Sequence, residues 1–138
     1  MTSEYIPAAL RQRVRQRARY CCEYCLLAEG DSFFPHEPDH IIAEKHGGAT
    51  RAENLALACF DCNRFKGSDI ASLDPTNGSL VRLFNPRTDR WEDHFQMEGG
   101  RICALTATAR ATEKLLKLNL PARVEIRETL TRAGRRPR

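Results

Sequence analysis

The chain has 138 residues, of which 41% are hydrophobic and 29% are charged, a composition typical of one globular domain and not of a disordered chain. Its net charge of +4 and pI of about 8.9 are too mildly basic to indicate nucleic-acid binding by themselves. No apolar run approaches the roughly 20 residues of a membrane-spanning helix, and the N-terminus lacks a secretory signal, so a cytoplasmic protein without a membrane partner is expected.

The first predicted element is an amphipathic helix that opens near Pro7. Apolar residues recur at four-residue spacing from Ile6 through Leu10 and Val14 to Ala18, which is the period of one helix face. Clustered arginines are predicted on the other face and in the C-terminal tail: Arg11, Arg13, Arg15, Arg17, Arg19, Arg132, Arg135, Arg136 and Arg138. Such clusters neutralise phosphates, but they are equally typical of a solvated helix face and a frayed end.

The middle of the chain predicts short strands and one helix. Phe33 to Ile42 reads as a strand interrupted by Pro35 and Pro38, hence an edge or distorted strand. Glu53 to Leu57 reads as a short extended or turn segment, after a turn at Gly47-Gly48. Phe60 to Ile70 predicts a helix.

The C-terminal half predicts a further strand at Leu80–Phe84 and then a hairpin, Phe95–Met97 with Ile102–Ala104. Two helices follow, one over Thr108–Leu118 and one that opens at Pro121 and stops at Gly134, with Ala122, Ile126 and Leu130 at four-residue spacing. The fold class predicted is α+β, as a single domain over 1–138 with a motif core at about 19–70 and an extension at about 71–138.

Two C-x-x-C pairs are the most specific motif. Cys22, Cys25, Cys59 and Cys62 have the spacing of a tetrahedral zinc site, and thiolates favour zinc over magnesium or calcium. We expect a closed, structural Zn²⁺ site, the alternative being reduced core cysteines. Cys21 leaves a less suitable gap to Cys25 than Cys22 does, and Cys103 is expected to be a small buried apolar residue.

The residues between and after these pairs carry candidate chemistry. His40 is a candidate base, because an imidazole is able to take a proton from water near neutral pH, and the neighbouring Asp39 offers a hard oxygen for Mg²⁺. Asp39-His40-Ile41, Gly47-Gly48, Asn54-Leu55, Cys62-Asn63 and Lys66 together resemble the motif of the HNH endonucleases, in their zinc-knuckle subgroup, over about residues 19–67.

The resemblance implies a small ββα-metal core stapled by the Cys₄ site, flanked in the chain by the N-terminal amphipathic helix and the C-terminal helices. It implies that His40 is the general base, that Asp39 and Asn63 bind the catalytic metal, and that Asn54 holds the loop and orients the His40 ring. Many relatives carry histidine at the position of Asn63, and the amide oxygen favours Mg²⁺ or Mn²⁺ over Ni²⁺ or Zn²⁺.

The function predicted is a metal-dependent DNA endonuclease, with double-stranded DNA as its partner, acting as a monomer or a homodimer. Candidate phosphate contacts are Arg64, Lys66, Arg11, Arg15 and Arg19. A zinc-stabilised nucleic-acid-binding module without catalysis is the alternative, and a redox protein is a third hypothesis. His36, His46 and His94 receive no assigned role.

Overall fold

The protein is described by a computed structural model over residues 5–135, so Arg136 and Arg138 of the predicted basic tail lie outside the described residues. The chain divides into two compact units, one ending at Ile70 and the other beginning at Ala71. That the two units together form one functional domain over residues 1–138 stays a prediction. No helix within residues 5–135 has the length and apolar character of a membrane span.

The first unit opens with the predicted amphipathic helix, α1 (Ala8–Arg17), whose N-cap is Pro7. Its apolar face is buried as expected: Ile6, Val14 and Ala18 are at most 5% exposed and form a core with Leu55 and Leu57. This contact fixes α1 against the strand that carries the two leucines.

Two strands and a helix follow, β1 (Glu37–His40), β2 (Leu55–Ala58) and α2 (Phe60–Lys66). β1 and β2 are antiparallel, with Asp39 opposite Ala56 and His40 opposite Leu55. Both strands contact α2, which gives the ββα arrangement predicted for the core.

Two of these elements are shorter than predicted. β1 occupies only residues 37–40 of the predicted strand 33–42, because residues 33 and 34 lie in a bend before it and residues 41 and 42 lie in a bend after it. α2 ends at Lys66 instead of Ile70, because Gly67 adopts a φ of 53° and a ψ of −129° that no helix continues.

Over residues 71–135, the second unit contains two small hairpins and three helices. β3 (Ala71–Leu73) pairs with β4 (Leu80–Arg82), and β5 (Phe95–Glu98) pairs with β6 (Arg101–Ala104). The helices are α3 (Trp91–His94), α4 (Ala107–Leu115) and α5 (Pro121–Arg132). The hairpin at residues 95–104 and the two C-terminal helices are confirmed, whereas β3 and α3 were not predicted.

Helix α5 presents a different face to the interior than its apolar spacing predicted. Ile126 is 49% exposed, whereas Arg123 and Arg127 are 7% and 2% exposed. Arg123 donates to the carbonyls of Leu116 and Lys117, and Arg127 donates to those of Leu118 and Gly100. The last carbonyls of a helix have no hydrogen-bond donor within the helix. Arg123 and Arg127 supply donors to the carbonyls of residues 116–118, directly after α4.

Candidate metal and catalytic site

Four buried sulfurs form the most compact cluster of the first unit. The Sγ atoms of Cys22, Cys25, Cys59 and Cys62 all lie within 4.8 Å of one another, and Cys25 Sγ is 3.6 Å from Cys59 Sγ. A disulfide would need about 2 Å, whereas a tetrahedral ion with Zn–S bonds of about 2.3 Å spaces its sulfurs by about 3.8 Å. The cluster therefore has the dimensions of the predicted Cys₄ zinc site.

Local turns aim the sulfurs at one point. Cys25 N donates to Cys22 Sγ and Cys62 N donates to Cys59 Sγ, each at 3.4 Å, so each knuckle carries an N–H···S bond that supports a thiolate. Burial raises the pKa values of the Cys22 and Cys62 thiols well above their usual range. Burial thus favours the protonated thiols, whereas a divalent cation would favour the thiolates, because it binds the deprotonated sulfur.

The remaining two cysteines lie outside the cluster. Cys21 is buried next to it, but its Sγ lies 3.5 Å from the Arg19 carbonyl, and the sulfur that belongs to the cluster is that of Cys22. Cys103 lies in the second unit and is partly exposed, where a buried position was expected.

Asp39 is completely buried on β1. Its Oδ2 lies 3.1 Å from Lys66 Nζ and accepts a hydrogen bond from Tyr24 Oη at 3.3 Å. Burial raises the pKa of this carboxyl group, although the nearby Lys66 ammonium opposes the shift. The contact with Tyr24 connects the first cysteine knuckle directly to the predicted metal carboxylate.

Among the described residues, two buried side-chain oxygens accept no hydrogen bond. Asp39 Oδ1 and Asn63 Oδ1 are both buried and accept no hydrogen bond from the described residues. A buried oxygen without a partner costs about 1–3 kcal/mol, and one hard cation would satisfy a carboxylate and an amide oxygen together. The donor set thus fits the predicted Mg²⁺ or Mn²⁺ site.

His40 follows Asp39 on β1 and is 6% exposed. Its Nε2 lies 3.0 Å from Thr50 Oγ1, and its backbone carbonyl accepts a hydrogen bond from Lys66 Nζ. The ring contact with Thr50 was not predicted, because a threonine in a loop ten residues away has no sequence signal for this role. If Nε2 donates to Thr50, the proton-accepting nitrogen is Nδ1.

Asn54 holds the loop between β1 and β2 closed. Its side chain donates to the carbonyls of Ile42 and Ala49 and accepts from Ile42 N, each at 2.9 Å. Gly48 packs against the same loop, and a residue with a side chain would clash there, since a Cβ would be 1.7 Å from the Ile42 carbonyl oxygen. The predicted loop-holding contacts of Asn54 are present, whereas the ring contact described for His40 comes from Thr50.

The predicted phosphate contacts differ in their surroundings. Lys66 is 2% exposed and bonded to Asp39 and to the His40 carbonyl, so its ammonium faces the site interior and not the solvent. Arg15 reaches Glu29 and the His36 carbonyl, and Arg11 pairs with Glu37. Arg64 and Arg19 remain exposed. Sequence reasoning missed the internal role of Lys66, because its acceptors lie 26 and 27 residues away.

The other histidines lie in unlike environments. His36 is completely buried, and its Nε2 lies 2.8 Å from the Leu27 carbonyl, which indicates a structural role. His46 is exposed in the turn 44–46. His94 Nδ1 lies 2.7 Å from Thr106 Oγ1 in the second unit.

Residues 22–69 match the family model described as HNH endonuclease, about a third of the chain. The resemblance stated from the sequence is thereby confirmed for this segment, which contains the four cysteines, β1, β2 and α2. Neither a curated protein sequence nor a solved structure gives a significant match to the chain.

Proposed function

From the match of residues 22–69 to the HNH endonucleases, we propose that this protein is a metal-dependent endonuclease that hydrolyses phosphodiester bonds of DNA. The observation that carries the proposal is the pair of buried oxygens without partners, Asp39 Oδ1 and Asn63 Oδ1, with His40 following Asp39 on β1. They would hold Mg²⁺ or Mn²⁺, which offsets the negative charge that develops on the phosphoryl group and the leaving oxygen.

His40 acts in this proposal as the general base. Its Nδ1 takes a proton from the attacking water, while the contact of Nε2 with Thr50 Oγ1 fixes the ring orientation. Lys66 and Tyr24 hold Oδ2 of Asp39, so that Oδ1 is presented to the cation. The products would be a 5′-phosphate and a 3′-hydroxyl.

The substrate proposed is double-stranded DNA, cut one strand at a time. A single site of this kind breaks one strand, so a double-strand break needs a homodimer or two successive nicks. The Cys₄ site is proposed to hold zinc as a scaffold, which requires a reducing compartment such as the cytoplasm.

One observation favours the non-catalytic alternative. Lys66 already places a positive charge on Asp39, at 3.1 Å, and a carboxylate neutralised in this way has less need of a second cation. The two functions differ in their metal dependence, because a pure binding module does not cleave DNA with any divalent ion.

The test is nicking of supercoiled plasmid by the zinc-loaded protein with Mg²⁺ or Mn²⁺. We expect His40→Ala to nick at least about 100-fold more slowly than the wild type, since general-base catalysis contributes about 10²–10⁴-fold. His46→Ala is the matched control, because that imidazole is exposed outside the site, and it should nick like the wild type. Equal rates for His40→Ala and the wild type would remove His40 as the base, and no nicking with either ion would support the binding module.

A second experiment tests the proposed metal ligands through the Mg²⁺ dependence of nicking. Asn63→Ala should raise the Mg²⁺ concentration needed for half-maximal nicking, because it removes one of two oxygen ligands. An unchanged Mg²⁺ dependence would exclude Asn63 from the site.

A further inference from the structure

Three phenylalanine rings lie together on the surface of the first unit. Phe33 is 97% exposed, Phe34 50% and Phe60 46%. The ring centres of Phe33 and Phe34 are 5.6 Å apart, and those of Phe34 and Phe60 are 4.8 Å apart. We call this set, with Arg64, the aromatic platform.

The platform forgoes a substantial stabilisation. Burying a phenylalanine side chain stabilises a fold, and Phe33 is almost completely exposed. The rings are tilted to one another, by 56° for Phe33 and Phe34 and by 35° for Phe34 and Phe60, so a flat group would stack on the exposed face of one ring.

Arg64 adds a positive charge to the platform. Its Cζ lies 5.4 Å from the ring centre of Phe60 and 4.4 Å from that of Phe65. Asp61 Oδ1 accepts from it at 3.1 Å, but both side chains are solvated, at 55% and 40% exposure. A guanidinium group next to exposed aromatic rings suits a ligand that is both flat and anionic, which is the chemistry of a nucleotide.

The platform lies next to the proposed metal site. Phe60 and Asn63 are three residues apart on α2, a spacing that places side chains as neighbours about 5–6 Å apart at Cβ. A strand whose phosphate reaches Asn63 would therefore have the base of an adjacent nucleotide within reach of Phe60.

We propose that the aromatic platform binds an unpaired nucleobase by stacking, so that the protein prefers DNA with a single-stranded or locally unpaired segment beside the cleaved linkage. The proposal rests on the proposed nuclease function and specifies its substrate. Intact duplex DNA buries the faces of its bases, so it gains nothing from the platform.

Binding is measured first, with zinc-loaded protein and no added Mg²⁺ or Mn²⁺. The probe is a fluorescein-labelled single strand of about 12 nucleotides, within the site sizes of about 4–16 nucleotides known for such surfaces, and the same strand as a duplex. Phe33→Ser should weaken single-strand binding about 5- to 150-fold, corresponding to about 1–3 kcal/mol for one stacked base. Phe33→Trp should bind within about threefold of the wild type, because a larger ring preserves stacking.

Tyr5→Ser is the matched control, because it removes another highly exposed ring of the same unit, at 81% exposure. It should leave both affinities unchanged. Zinc content equal to that of the wild type verifies that each variant is folded. If Phe33→Ser binds the single strand as tightly as the wild type, or weakens single strand and duplex equally, the platform does not stack a base. Loss of self-association in Phe33→Ser, with unchanged DNA binding, would instead identify a contact between copies of the chain.

Cleavage separates the two proposals. A protein that nicks plasmid while Phe33→Ser retains single-strand affinity is a nuclease without a base-stacking platform. A protein that cuts nothing, but whose single-strand affinity depends on Phe33, has the platform without the proposed activity.

Discussion

Replacing Lys66 by methionine tests the buried charge pair on which the site is built. Lys66 is 2% exposed and Asp39 is 0% exposed, and Lys66 Nζ lies 3.1 Å from Asp39 Oδ2. Lys66→Met keeps most of the side-chain volume and removes the ammonium, which leaves a buried carboxylate with the Tyr24 hydroxyl as its described donor. Breaking a buried ion pair by removing one partner costs about 3–5 kcal/mol, a large part of the usual 5–15 kcal/mol of folding stability.

The assay is urea unfolding of the zinc-loaded protein, followed by far-ultraviolet circular dichroism at constant zinc concentration. With a urea dependence of about 1–3 kcal/mol per molar, the unfolding midpoint should fall by at least about 1 M. The double variant Lys66→Met/Asp39→Asn should recover most of the loss, because it buries no unpaired charge. A decrease below about 1 kcal/mol in Lys66→Met, or a double variant as unstable as the single one, would refute the reasoning.

Three further predictions concern the cysteine cluster, the His40 ring and the second unit. Cys59→Ser should lose the zinc measured by mass spectrometry in the purified protein, together with the fold of the first unit, because structural zinc contributes directly to folding. Thr50→Val should slow nicking about 10-fold, since the hydroxyl at 3.0 Å orients His40. Asp74→Asn should destabilise the protein in urea near pH 7, but less and less as the pH falls from about 4 towards 2. The bidentate contact with Arg110 lowers the pKa of Asp74 to about 2, so its stabilisation is present above the unfolded pKa and is lost below the folded one.

Each of these three predictions has its own control. Cys103→Ser lies outside the cluster and should retain zinc, while loss of zinc in both serine variants would contradict the assignment. Thr50→Ser should nick at the wild-type rate, and a slow Thr50→Ser would indicate that packing of the methyl group matters more than the hydroxyl. For Asp74, a stability difference that is constant from pH 7 to pH 2 would exclude the ion pair as its source.

Much of the site was predictable because its signals are local. The gap between Cys22 and Cys25 and the gap between Cys59 and Cys62 each place two sulfurs in one tight turn, and four thiolates favour zinc over magnesium or calcium. The apolar period of α1 likewise predicted the face that is buried, with Val14 and Ala18 in the core.

The first and last residues of the helices and strands were less predictable, because a single residue or a pairing strand sets where each element ends. Gly67 ends α2 four residues before the predicted end. β3 is only three residues long, and it is defined by its partner β4 across the intervening turns, which no periodicity in three residues reveals.

The sequence by itself determined the chemistry available to this protein: four thiolates for a soft cation, and an Asp-His pair with an asparagine for a hard one. Tertiary structure alone decided what the charged side chains do. Lys66, Arg123 and Arg127 look like surface residues in the sequence, yet each is buried on acceptors that lie outside its own helix. The physical reason is that a charge is stable in the interior only where folding brings partners to it, and a linear pattern does not record which carbonyl or carboxylate will be there.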